Sequence, residues 1–172
     1  MRARLTEAED STLIWDPAHP CPGTWDPMKT LYTAVATAND AGRNGRTRTD
    51  DGSLDLQLVM PEGMGGQGGE GTNPEQLFAL GYSACFANAM RSAARRMDRE
   101  AAVEGAEVTA KVDIGAIGGG RFGLAVTLDV SVPAVGQDEA EELVALAHER
   151  CPYSNATRGN IPVELLVNGE VQ

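Results

Sequence analysis

The most regular feature of the polar and apolar pattern is a central block without charge. From Gln76 to Met90 no charged residue occurs, and apolar side chains point in nearly every direction of a 3.6-residue period, which predicts a helix buried all round. Asn73 suits its cap and Pro74 the first helical position, and Gln76 completes a box-like Asn-x-x-Gln start. The block is too short to span a bilayer and runs into Arg91, Arg95 and Arg96. Around it the period changes to two. Residues 31–37 and 54–60 read as strands, joined as a hairpin by the polar turn region 39–51. Residues 108–117 form a long strand, Gly118-Gly119-Gly120 turns the chain, and 122–132 returns with Leu124, Val126, Leu128 and Val130 in alternation. Residues 95–107 are charged and solvated. An amphipathic helix over 137–150 lines Ala140, Leu143, Ala147 and Cys151 along one face, Pro152 breaks it, and 161–167 is a final strand. The order β-β-α-β-β-α-β, with hairpins rather than crossovers, predicts an α+β fold in which antiparallel strands cover helices.

Composition narrows the class. The 172 residues suffice for one domain with a real core. The net charge of −11 argues against nucleic acid and anionic membranes, which need a positive footprint. Nothing reads as a transmembrane helix or a signal peptide, so the expected location is cytoplasmic. Residues 1–27 are rich in Pro, Asp and Glu and lack periodicity, and they read as a poorly ordered N-terminal extension, although Trp15 and Trp25 leave docking open. The folded domain is expected over 28–172. His19 and Cys21 in the extension have no second ligand at metal spacing, and no metal or cofactor is expected.

The remaining candidates for chemistry are few. Residues 61–71 are glycine-rich and precede a helix, but they lack the Gly-Lys-Ser/Thr ending of a phosphate loop and carry Glu62 and Glu70, so a flexible linker or lid is the better reading. Three cysteines, Cys21, Cys85 and Cys151, are too few and too scattered for a disulfide framework. On position alone Cys85 is first a small core hydrophobe. Burial would leave such a thiol inert, and a working cysteine there needs a fixed cation. Arginine stays charged when desolvated and in turn needs a carboxylate. Arg43 in the strand-linking turn and Glu75 at the start of the central helix are the available pair, though spacing alone does not bring them together.

Five stretches, in order, carry a resemblance. Leu31-Tyr32-Thr33-Ala34, Gly42-Arg43-Asn44-Gly45-Arg46, Gly71-Thr72-Asn73-Pro74-Glu75-Gln76-Leu77-Phe78, Gly81-Tyr82-Ser83-Ala84-Cys85-Phe86 and the run from Cys151-Pro152-Tyr153-Ser154 through Asn155-Ala156-Thr157-Arg158-Gly159-Asn160 resemble the organic hydroperoxide resistance (Ohr) proteins of the OsmC/Ohr group. The resemblance spans about residues 31–167 and marks 28–172 as an OsmC/Ohr-like peroxidase domain. It implies an intertwined homodimer with strands wrapped around buried central helices. It also implies a thiol-dependent peroxidase for organic hydroperoxides in oxidative-stress defence, recycled by a small dithiol or a lipoylated protein, with dihydrolipoamide the expected reductant. Position by position, Cys85 matches the peroxidatic cysteine, Cys151 the resolving one, Arg43 the thiolate-activating arginine and Glu75 the carboxylate that holds it. The apolar residues Phe78, Tyr82 and Phe86 would favour alkyl or fatty-acid hydroperoxides. The extension before Met28 departs from the family pattern.

Three other readings compete. The Cys151-Pro152-Tyr153-Ser154 run has a glutaredoxin look, but there the cysteine opens a helix, whereas Cys151 closes one, where an anion is disfavoured. A Cys85–His148 hydrolase is weakened by His148 lying on the polar side of its helix. A hydroperoxide or lipid sensor could use the same pocket without turnover. One geometric difficulty remains for the resemblance: Glu75 and Cys85 are ten residues apart, roughly 15 Å along one straight helix. Either the helix breaks near Gly81, or a second chain supplies its own Arg43 and Glu75 to this Cys85. The all-round apolar character favours the second.

Overall fold

The computed structural model describes residues 29–172, so the expected extension 1–27 lies outside the described residues. Residues 36–172 form one compact unit. Its elements run β1 (Ala36–Ala38), β2 (Arg46–Thr49), β3 (Asp55–Gln57), α1 (Pro74–Arg96), β4 (Glu107–Gly118), β5 (Arg121–Ser131), α2 (Gln137–Arg150), α3 (Pro152–Thr157), β6 (Val163–Val167) and β7 (Glu170–Val171). The fold is α+β, as the pattern predicts. Among the described residues no helix is long and apolar enough to cross a membrane.

The first sheet, β1-β2-β3, is antiparallel throughout. It corrects the expected two-strand hairpin. The region assigned to a polar turn contains β2, which pairs with both neighbours, and the strand expected over 31–37 keeps only its end as β1. Leu31 and Tyr32 carry the β-type composition, yet they are 91% and 80% exposed and outside any strand. β2 is Arg-Thr-Arg-Thr, with arginines outward and threonines half-buried, so its period of two is spelled in polar residues. Arg46 Nε donates to Asp55 Oδ1 at 2.6 Å across to β3.

The second sheet has the order β4-β5-β6-β7. The β4–β5 hairpin is as expected, from Glu107 opposite Ser131 to Gly118 opposite Arg121. β6, however, runs parallel to β5, from Val126 opposite Val163 to Val130 opposite Val167. The expectation of hairpins only is therefore corrected: α2 and α3 supply the long connection that a parallel neighbour requires.

α1 is one continuous helix through Gly81. Asn73 Oδ1 accepts from the Gln76 backbone N–H at 2.8 Å, while the Gln76 side chain accepts from Thr72 Oγ1 at 3.0 Å rather than closing a box onto the cap. Tyr82, Phe86, Ala89, Met90, Ala93 and Ala94 of α1 enter the core with Val126, Leu128 and Val130 of β5 and Ala140, Leu143, Val144 and Ala147 of α2. The helix is not buried all round within the chain: Gln76, Leu80, Ala84 and Asn88 form an exposed stripe at a spacing of four, with Leu80 65% exposed. The segment expected to be solvated after it holds the last turn of α1 and a short 3-10 helix, Glu100–Val103, with Ala102 buried. The glycine-rich stretch expected as a flexible linker or lid carries local turns. Glu62–Met64 makes a 3-10 turn, the Gly66 N–H donates to the Pro61 carbonyl at 3.0 Å, and Thr72 bridges back to Leu58.

Candidate active site

Cys85 lies in the middle of α1 and Cys151 at the joint between α2 and α3. The sequence places Cys151 at a helix end, and the structure adds that it also opens the next helix, with Pro152 at the first position of α3. Its backbone, φ −68° and ψ 124°, is the extended corner that separates the two helices. The Cys151 thiol donates to Cys85 Sγ at a sulfur–sulfur distance of 3.6 Å. Both thiols are free, Cys151 fully buried and Cys85 half-buried. A disulfide needs about 2.05 Å, so the sulfurs are in contact but unbonded.

Burial pushes the Cys85 thiol above its ordinary value. A hydrogen bond from the Tyr153 backbone N–H works against this, and the Cys151 thiol adds to it. Among the described residues, then, the environment favours the neutral thiol, and no cation acts on it.

The cation sits with its carboxylate at the start of α1. Arg43, in the 3-10 turn Gly42–Asn44 before β2, places Nη1 2.7 Å from Glu75 Oε2 and Nη2 2.7 Å from Oε1, a two-pronged pair. Nη1 also lies 3.9 Å from Met64 Sδ in the glycine-rich turn. Glu75 occupies the first turn of α1, where the helix favours a carboxylate. The Arg43 guanidinium holds its carboxyl below the usual range, against the opposing effect of burial. A cavity of about 360 Å3 opens on the pair, lined by Arg43, Glu75, Phe78, Ile114, Phe122 and Leu124. Phe78 thus lines the cavity as its apolar character suggests, but Tyr82 and Phe86 are fully buried in the core and do not.

The four expected residues therefore form two pairs, Cys85 with Cys151 and Arg43 with Glu75. Among the described residues no hydrogen bond or ion pair joins the two pairs. Both terminal nitrogens of Arg43 are committed to Glu75, and the unbroken α1 rules out a fold-back at Gly81.

His148 is not the solvated residue its place in the sequence suggests. Its ring packs against Phe86 at 6.4 Å between centroids, Nδ1 is buried without a hydrogen bond, and burial lowers its proton affinity. The thiol of Cys85 meets Cys151, so the nucleophile–base contact of a hydrolase is not made. Ser154 and Thr157, which carry no assigned role in the sequence, place their hydroxyls 3.0 and 3.3 Å from Tyr82 Oη. Their spacing of three in the run after Cys151 was the only signal. Among the described residues no cluster of three His, Cys, Asp or Glu could hold a metal.

Fold and site together define an α+β chain with a paired-thiol centre and a separate Arg–carboxylate pair. The family described as OsmC-like protein matches residues 66–166. An organic hydroperoxide resistance protein of Xanthomonas axonopodis pv. citri is 50% identical over 139 residues, covering 81% of this chain and 96% of that one. The protein OhrB of Bacillus subtilis is 44% identical over 137 residues, 78% and 96% of the two chains. Among solved structures, an organic hydroperoxide resistance protein of Legionella pneumophila superposes with a TM-score of 0.76 at 48% identity, covering 81% of this chain and 98% of that one. The chain belongs to the OsmC/Ohr family.

Proposed function

We propose that this chain is a thiol peroxidase that reduces organic hydroperoxides to alcohols as part of oxidative-stress defence, as the names of its relatives suggest. The observation that carries the reading is the 3.6 Å contact between Cys85 and Cys151. The Cys85 thiolate attacks the terminal peroxide oxygen, the O–O bond breaks, and the alkoxide leaves with the bonding pair and takes up a proton to become the alcohol. Cys85 is left as a sulfenic acid. The Cys151 sulfur attacks it, water leaves, and a Cys85–Cys151 disulfide forms. A dithiol, with dihydrolipoamide or a lipoylated protein as the expected partner, reopens the disulfide by exchange and is itself oxidised. Cys85 is the half-buried member, which suits the peroxide-facing role, and Cys151 the buried one, which suits the resolving role. The apolar wall of Phe78, Ile114, Phe122 and Leu124 favours alkyl or fatty-acid hydroperoxides over hydrogen peroxide.

The cation that this cycle needs is assigned to a second copy of the chain. In a two-fold homodimer each Cys85 would be served by the partner subunit's Arg43, held by the partner subunit's Glu75. The cycle is expected to run in the cytoplasm.

Turnover of cumene hydroperoxide with dihydrolipoamide, compared with hydrogen peroxide, tests the reading. Continuous consumption with a preference for the organic peroxide is expected. A single stoichiometric oxidation without turnover would replace the enzyme by a sensor.

A further inference from the structure

α3 is six residues long, too short to hold its own place. Its position therefore comes from what it touches. Toward α2 it is tied by Arg158, whose Nη1 donates to Asn155 Oδ1 at 2.7 Å and whose Nη2 donates to the His148 carbonyl at 3.0 Å. Toward α1 the tie is polar and fully buried. Tyr82 Oη lies 3.0 Å from Ser154 Oγ and 3.3 Å from Thr157 Oγ1, and Thr157 Oγ1 lies 3.0 and 3.1 Å from the carbonyls of Tyr153 and Ser154. The exposures of Tyr82, Ser154 and Thr157 are 0%, 0% and 2%.

Each hydroxyl has one proton, and one orientation uses all three. Thr157 must donate to a carbonyl, so it accepts from Tyr82. Tyr82 has then spent its proton and accepts from Ser154. The relay runs from Ser154 through Tyr82 and Thr157 to the main chain of α3, and no buried hydroxyl is left unpaired. The tyrosine ring adds packing against Phe78 and Tyr153, with centroids 5.9 and 5.6 Å away.

Tyr82 is three residues before Cys85, one turn of the same helix, and Cys151 caps the helix that Tyr82 holds. The relay thus spans the same two elements as the sulfur contact. We propose that Tyr82, through Ser154 and Thr157, is the positioning residue that keeps Cys151 Sγ against Cys85 and so governs the rate at which the Cys85 sulfenic acid closes to a disulfide. The inference rests on the peroxidase cycle proposed above. In the step concerned, Cys85–SOH and Cys151–SH give the disulfide and water. A sulfenic acid that waits is open to a second peroxide, which oxidises it to sulfinic acid and releases another alcohol. The position of Cys151 therefore decides a competition.

Full-length wild type, Tyr82→Phe, Ser154→Ala and Thr157→Ser are treated with increasing equivalents of cumene hydroperoxide. Sulfenic acid is trapped with dimedone, and disulfide and sulfinic acid are separated by mass spectrometry at timed quenches. Expected for Tyr82→Phe is an unchanged rate of Cys85 oxidation, disulfide closure slowed about tenfold, the rate equivalent of one hydrogen bond, and sulfinic acid that grows with each equivalent. Ser154→Ala should move the same way, and Thr157→Ser, which keeps the hydroxyl, should stay with wild type. The proposal is overturned if Tyr82→Phe partitions between disulfide and sulfinic acid as wild type does, or if both steps slow in parallel, as a general loss of structure would cause. If Tyr82→Phe fails to fold, Ser154→Ala decides by the same partition. Failure of the underlying cycle looks different: wild type itself would then form no Cys85–Cys151 disulfide.

Discussion

Cys85 is a thiol whose own chain favours the neutral form, and its first expected behaviour follows from its neighbour. Cys85→Ser should abolish peroxide turnover, while Cys151→Ser should allow one oxidation that ends in overoxidation or a mixed disulfide. Mass spectrometry of peroxide-treated protein checks this, and a Cys21-containing bridge as the main product would sink it. Arg43 is tested separately. Arg43→Ala should shift the alkylation of Cys85 to higher pH, and Arg43→Lys should rescue poorly, since an ammonium lacks the two-pronged fit to Glu75 seen at 2.7 Å on both oxygens. An unchanged alkylation profile would remove Arg43 from the mechanism. His148 gives a prediction of stability instead. Burial lowers its proton affinity first, Arg158 lowers it further, and Glu149 opposes both. The unfolded chain then binds the proton more readily, so stability is lost as pH falls below the ordinary value of 6.5 toward the lower folded value. In His148→Leu, thermal unfolding between about pH 7 and pH 5 should lose part of this slope. Glu75 acts in a lower window. Its lowered value adds stability above the ordinary 4.5 that disappears as pH falls through the folded value. At this scale the sequence was readable where a residue's chemistry is singular. A cysteine in a charge-free helix, an arginine and a carboxylate could be picked out singly. His148 could not, because a helix position near a charged end says little about which neighbour covers the ring.

The secondary-structure elements were legible where their pattern is written in apolar residues. α2 and the β4–β5 hairpin could be drawn closely from periodicity. β2 could not, because its two faces are arginine and threonine, and the parallel placement of β6 could not, because a strand's direction is set by the path of α2 and α3 and not by its own residues. The turns of the glycine-rich segment could not be drawn for a related reason: glycine counts do not reveal which carbonyl occupies the empty side. At Gly66 an added Cβ would fall on the Met60 backbone. Gly66→Ala should therefore destabilise the turn by about 1–3 kcal/mol, read as a lowered denaturant midpoint with an unchanged slope. Gly63→Ala, where a Cβ meets open space, is the control and should stay near wild type. Because Met64 of the same turn touches Arg43, the destabilised variant should also react more slowly at Cys85.

For the whole molecule the central question is what covers α1. The stripe Gln76, Leu80, Ala84 and Asn88 is exposed in a single chain, on a helix whose sequence carries no charge from Gln76 to Met90. Ile117 and Phe122 at the end of the long hairpin are exposed as well. A second copy would cover such a face, and the extension is not required for this by any of the motifs. Deletion of residues 1–27 is expected to leave peroxide turnover within about a factor of two. A large loss would show that Trp15 and Trp25 dock. The dimer itself is tested through the separation of the two pairs. Arg43 is bound to Glu75 at one end of α1, and Cys85 lies ten residues further on, roughly 15 Å along an unbroken helix. The guanidinium is bonded to that carboxylate, while the sulfur of the same chain meets Cys151. In the proposed two-fold arrangement each site would take its thiols from one subunit and its cation from the other. Mixed Cys85→Ser and Glu75→Ala subunits, each inactive alone, should then regain activity on refolding together. In the heterodimer one site is lost twice over, since it joins a serine to an unanchored arginine, and the other pairs an intact Cys85 with an intact Arg43–Glu75. Activity should return as about one working site per heterodimer, in proportion to the heterodimer formed. If heterodimers form and activity stays absent, both pairs belong to one chain, and the turn that carries Arg43 must move to reach Cys85.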